Sequence, residues 1–147
     1  MVRGEYRLCM DLAAEVMEFA ERLNEPGLLM EALIFPALTR YYRADFVGAR
    51  GCSERALSNY EDRARCAYWL RYTGEDVGVV HRSVFAWTLW HLGFPDRALR
   101  VSREACELGR QIRRILTFAA GLVVAVLVAL GTMARGRATR KRYTGGF

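Results

Sequence analysis

The chain has 147 residues, enough for one domain with little left over for a second. Hydrophobic residues make up 52% and charged residues 26%, which excludes a disordered tail, a collagen-like fibre and a low-complexity segment. The net charge of +6 does not mark a nucleic-acid surface: all 16 acidic residues lie between Glu5 and Glu107, beside 15 arginines, and the last seven basic groups follow in an acid-free end.

The first segment, residues 5–23, places Leu8, Leu12, Val16 and Phe19 at steps of four, four and three, with acids and arginines opposite, so it reads as an amphipathic helix. Asn24-Glu25-Pro26-Gly27 punctuates it, since Pro26 cannot continue the ladder and Gly27 frees the backbone. A second helix is expected over 28–42, with Pro36 kinking it or dividing it in two. After a turn at Arg43-Ala44-Asp45 a third helix covers 46–60, its Ala49, Cys52, Ser53 and Ala56 small enough to let a neighbour approach. Residues 61–76 form the least regular stretch. A fourth helix, 78–92, carries Phe85, Trp87 and Trp90; Gly93-Phe94-Pro95-Asp96 then turns the chain, and Asp96 is placed to cap a fifth helix over 97–110. No run alternates with period two, so the expected class is all-α.

Cys9, Cys52, Cys66 and Cys106 form no C-x-x-C pair and read as reduced, buried thiols of a cytoplasmic chain. The opening residues hold no apolar run of the kind a secretory signal needs. His81 and His91 have no acid or cysteine at ligand spacing and read as packed or capping side chains, so neither a metal nor a cofactor is expected. Asp45, Asp62, Asp76 and Asp96 sit at turns, where capping is their ordinary role. With no phosphate-binding G-x-x-x-x-G-K-[ST] loop, G-x-S-x-G or H-E-x-x-H, the chain reads as a non-enzyme.

Two of the helical hairpins align. Ala44-Asp45-Phe46-x-x-Ala49-x-x-x-Ser53-x-x-Ala56 lies opposite Gly93-Phe94-Pro95-x-x-Ala98-x-x-x-Ser102-x-x-Ala105, an offset of 49 that the spacer at 61–76 lengthens. These hairpins resemble tetratricopeptide repeats. More narrowly, residues 5–121 resemble the helical-repeat region of bacterial signalling polypeptides in which a class III adenylate/guanylate cyclase domain and a STAND-type ATPase module precede the repeats. The strings that carry this are Glu54-Arg55-Ala56-Leu57-Ser58-Asn59-Tyr60, Tyr72-Thr73-Gly74-Glu75-Asp76-Val77-Gly78-Val79 and Ala86-Trp87-Thr88-Leu89-Trp90-His91-Leu92-Gly93-Phe94-Pro95-Asp96-Arg97-Ala98. The resemblance covers the repeats alone, and the catalytic modules have no counterpart in this sequence. It implies an α-solenoid fragment of antiparallel helical hairpins that opens within a repeat, with a second-type helix lacking its partner.

The resemblance also implies which helix face meets a ligand: Glu31, Ile34, Leu38, Tyr41 and Tyr42 in one hairpin, and Val80, Ser83, Trp87, Trp90 and His91 in the next. Aromatic side chains on such a face could grip a peptide; the competing reading is that Trp87 and Trp90 pack against neighbouring repeats. The expected function is protein–protein interaction, as a regulatory repeat segment binding a peptide or a neighbouring domain of a signalling polypeptide.

The end of the chain pulls another way. A run of 20 residues without a charge begins at Ile115 and finishes at Ala134, and as a helix it would measure about 30 Å, the thickness of a hydrocarbon core. Arg110, Arg113 and Arg114 precede it; Arg135, Arg137, Arg140, Lys141 and Arg142 follow. It reads either as a transmembrane span, which would make the chain a small single-pass protein of the inner membrane, or as a buried first helix of the next repeat. The expected organisation is thus helical repeats over 5–112, a long apolar helix over 113–134 and a basic disordered tail over 135–147.

Overall fold

The structure is a computed structural model, and it describes residues 6–60 and 76–112. The described residues form five helices and no strand: α1 Tyr6–Leu23, α2 Pro26–Tyr42, α3 Phe46–Ser58, α4 Val77–His91 and α5 Pro95–Ile112. The fold is therefore all-α. Residues 61–75 of the spacer, with Asp62 and Cys66, the uncharged run 115–134 and the basic tail lie outside the described residues. Among the described residues no helix is long and apolar enough to cross a membrane.

Three turns of one kind fold consecutive helices onto each other. In each, one residue adopts left-handed backbone: Asn24 at φ 52°, Ala44 at φ 60° and Gly93 at φ 88°. The next N–H then reaches back five residues, Glu25 to Ala20 at 3.1 Å, Asp45 to Arg40 at 2.9 Å and Phe94 to Leu89 at 2.9 Å. This pattern satisfies carbonyls that a helix end would otherwise leave open. The break after α1 thus comes from Asn24, and Pro26 and Gly27 do not make it. Pro26 starts α2, where a missing N–H costs nothing, and Gly27 is buried inside the helix.

Two helix starts are capped as expected. Asp45 Oδ1 accepts from Gly48 N at 2.9 Å, and Asp76 Oδ1 accepts from Val79 N at 3.0 Å; each cap stabilises by about 1 kcal/mol. Asp96 differs from expectation. Pro95 is already the first residue of α5, so Asp96 lies inside the first turn, where its negative charge is stabilised by the positive end of the helix dipole. Pro36 does not divide α2, which continues as one helix through it. The ring removes one ladder bond, but α2 packs against α1, α3 and α4, and that contact holds the helix together around the gap.

The helices form a staggered stack. Each packs on its neighbour in the chain, and α2 also packs directly on α4. Ala49, Ser53 and Ala56 of α3 and Ala98, Ser102 and Ala105 of α5 have no accessible surface. The steps of four and three put each trio on one helical stripe, and small side chains there allow the backbones to come close. One apolar cluster joins Met30 and Leu33 of α2 to Ala56, Tyr60, Val77, Val79, Ala105 and Leu108. A second joins Phe85, Ala86 and Leu89 of α4 to Ala98 and Val101 of α5. Ion pairs cross between layers, Glu21 of α1 with Arg55 of α3, and Glu54 of α3 with Arg97 of α5 at 3.4 Å.

The largest departure concerns α1. Its regular stripe is not what packs: Leu8, Leu12, Val16, Phe19 and Leu23 are 41–55% exposed, while Ala13 and Ala20 are buried and Met17 joins the first cluster. The thiols differ too. Cys106 is buried, Cys52 is half-buried and Cys9 is exposed; all three are free. Burial pushes the Cys52 and Cys106 thiols up from their ordinary range, which keeps them protonated and unreactive.

Candidate functional site

Of the residues singled out in the sequence, Tyr41, Tyr42, Trp87 and His91 meet. Tyr41, near the end of α2, is the hub: its ring lies 5.6 Å from Tyr42, 5.9 Å from Trp87 and 5.5 Å from His91, and its hydroxyl is 3.0 Å from His91 Nε2. The edge-on arrangement with Tyr42 and His91 sets positive ring edges against negative faces. Burial, with Tyr42 as the smaller cause, pushes the Tyr41 pKa up, so it stays a neutral phenol able to donate to an imidazole nitrogen.

Phe46, which the sequence reading did not single out, belongs to the same group. Its ring stacks on His91 at 4.6 Å and 4°, and meets Tyr41 edge-on at 5.7 Å. Phe46 opens α3 just after the turn at Ala44, so the turn delivers it to the end of α4. As the first residue of a helix whose other marked residues are small, it carries no signal in the sequence that ties it to the rings of α2 and α4. The five rings come from three helices: Tyr41 and Tyr42 from α2, Phe46 from α3, Trp87 and His91 from α4. Tyr42 and His91 are exposed, and Tyr41, Phe46 and Trp87 are half-buried. The rings lie against one another, so the group offers a broad aromatic surface and not a cage around a cation.

The other expected residues lie elsewhere. Ser83 is only 6% exposed and its hydroxyl donates to Val79 O at 2.9 Å, within its own helix. Ile34 packs on the first core cluster, and Trp90 on the second together with part of Trp87. Leu38 and Val80 are half-buried. Glu31 lines a separate groove between α1 and α2.

His81 is a core histidine, as the sequence suggests. It has no accessible surface, and its Nε2 donates to Met30 O at 2.8 Å, tying α4 to α2. Burial pushes its pKa down to about 4, with Arg82 adding to the effect and the Met30 bond opposing it, so the ring is neutral at pH 7. Among the described residues no group of three or more His, Cys, Asp or Glu side chains could hold a metal ion.

Beneath α4, Tyr60 serves structure. Its hydroxyl donates to both Asp76 oxygens at 3.1 Å, and the Arg82 guanidinium lies 4.9 Å from its ring centre. Comparison of the chain with family models, with curated proteins and with solved structures finds no match.

Proposed function

We propose that this chain is a non-catalytic interaction module that binds a peptide or a neighbouring protein segment through the aromatic surface at the ends of α2 and α4. One observation carries the reading: five rings from three helices converge, with Tyr42 58% exposed and His91 exposed beside it. Rings held by one another lose little side-chain entropy on binding, which is the property that concentrates binding energy in aromatic residues. A tetratricopeptide-like repeat arrangement fits the packing. The hairpins α2–α3 and α4–α5 are joined by the same turn, bury the same Ala-x-x-x-Ser-x-x-Ala stripe, and set α2 against α4. The further role, as a regulatory segment of a signalling polypeptide akin to cyclase–ATPase fusions, rests on the three strings quoted above.

The test begins with a displayed peptide library selected against the full chain. An enriched peptide should bind at least tenfold more weakly to Tyr42→Ser combined with His91→Ala, a loss of about 1.4 kcal/mol, while the melting temperature stays within a few degrees. Trp87→Ala with Trp90→Ala is the poorer probe, because both indoles pack on the second core cluster. Binding undiminished in the Tyr42/His91 double variant would sink the proposal.

A further inference from the structure

The aromatic surface at the ends of α2 and α4 carries hydrogen-bond donors as well as rings. With the Tyr41 hydroxyl donating to His91 Nε2 at 3.0 Å, the proton of the neutral imidazole sits on Nδ1. Among the described residues nothing accepts from that N–H, from the Tyr42 hydroxyl or from the Trp87 indole N–H, and the Trp87 nitrogen is not sealed off from solvent. The five side chains include no carbonyl and no carboxylate, so the acceptors they present are the two tyrosine oxygens.

A segment laid on these rings meets donors for its carbonyls and almost nothing for its own N–H groups. An ordinary extended peptide brings one N–H for every carbonyl, and those trapped against the rings would lose water with no replacement. Proline brings a carbonyl and no N–H.

Charge narrows the choice in the same direction, because the charges on the neighbouring segments nearly cancel. Arg40 pairs with Asp45 at 3.7 Å, and Glu54 lies between Arg50 at 2.9 Å and Arg97 at 3.4 Å. Asp96 offsets the surplus arginine of that trio, and Arg43 lies over the Tyr6 ring, 5.8 Å from its centre. The matching partner is therefore uncharged, since neither an acidic nor a basic segment finds a complement here.

We infer that the ligand of this surface is an uncharged proline-rich segment in polyproline II conformation, a partner class that rests on the interaction function proposed for the same rings. Such a backbone has no internal hydrogen bonds, so its carbonyls stay open to donors, and its stiffness limits the entropy lost on docking. From Tyr42 through Tyr41 to Trp87 the steps are 5.6 and 5.9 Å. A row no longer than about 11 Å has room for one turn of polyproline II, which rises about 9 Å, and no more. The motif it reads is thus Pro-x-x-Pro, with both pyrrolidine rings on aromatic faces and the carbonyls between them turned to Tyr42, Trp87 and His91.

The full chain is titrated into fluorescein-labelled decaproline and into a labelled glycine–serine decapeptide, both with uncharged ends, and followed by fluorescence polarisation at neutral pH. Decaproline should bind at least tenfold more tightly than the glycine–serine peptide. Tyr42→Phe keeps an exposed ring and removes one donor, so it should weaken decaproline binding about threefold with an unchanged melting temperature. Tyr42→Ser combined with His91→Ala should weaken it at least tenfold. Equal binding of the two peptides, or decaproline binding unaltered by Tyr42→Phe, would overturn the inference. The displayed library separates it from the function it rests on. Enriched peptides that lack proline yet depend on Tyr42 and His91 would overturn the proline assignment and leave the interaction module standing, whereas peptides indifferent to both residues would remove the surface itself.

Discussion

Acidification should loosen this fold through His81, well before the whole protein becomes strongly cationic. The ring is fully buried and bonded to Met30 O through Nε2, and its Nδ1 is buried with no partner. A proton added at Nδ1 would bring a charge into the α2–α4 interface with no acceptor to receive it. Folded His81 therefore titrates near 4, against 6.5 in the unfolded chain. The unfolded state binds the proton first, so its contribution to stability is complete above pH 6.5 and falls as pH drops from 6.5 towards 4. At about pH 4.5 the loss amounts to about 2.5 kcal/mol, a large share of the stability of a small domain. The assay is urea denaturation at about pH 7.5 and about pH 4.5, comparing wild type with His81→Gln, which keeps an N–H for Met30 and does not titrate. Carboxylates affect both proteins alike, so the difference between them isolates the histidine. His81→Gln should be the weaker protein at neutral pH and should lose about 2.5 kcal/mol less on acidification. Equal losses in the two proteins, or a His81 ring signal titrating near its ordinary value, would refute the reasoning.

Other consequences are simpler to check. Ala44 is exposed at φ 60°, where a Cβ is strained, so Ala44→Gly should stabilise by about 1 kcal/mol in chemical denaturation. Ser53 and Ser102 are fully buried with unpartnered hydroxyls; Ser53→Ala and Ser102→Ala should each be neutral or stabilising by up to about 1 kcal/mol, and a loss would show that the hydroxyls matter. A Cβ at Gly78 would fall 2.3 Å from the Tyr60 ring, which Asp76 holds, so Gly78→Ala should cost about 2 kcal/mol and lower the melting temperature by several degrees.

Much of the fold is legible along the chain because its signals are local. The helix periods, the aspartate caps at Asp45 and Asp76 and the turn before Pro95 depend on a few adjacent residues, and most observed boundaries fall within two residues of those read from sequence. The small-residue stripe is legible for a related reason: Ala49, Ser53, Ala56 and their counterparts recur at helical spacing and are suited to close approach. The candidate surface is half legible. Tyr41, Tyr42, Trp87 and His91 are singled out by the face that the repeat resemblance implies, whereas Phe46 enters only because a turn brings the start of α3 to the end of α4.

Sequence alone determined that this protein is a set of short helices with alanine seams, because hydrogen bonding within a helix and chain reversal are settled over four or five residues. Tertiary structure alone decided which arc of α1 is covered. Its apolar surface runs from the Leu8–Leu12–Phe19 stripe round to Ala13, Met17 and Ala20, wider than one neighbour can bury, and α2 took the alanine side. Small side chains let two backbones approach and gain more dispersion contacts over the helix length, so the larger residues were left facing outward. The same competition keeps α2 a single helix through Pro36, where contacts with three other helices outweigh one missing backbone bond.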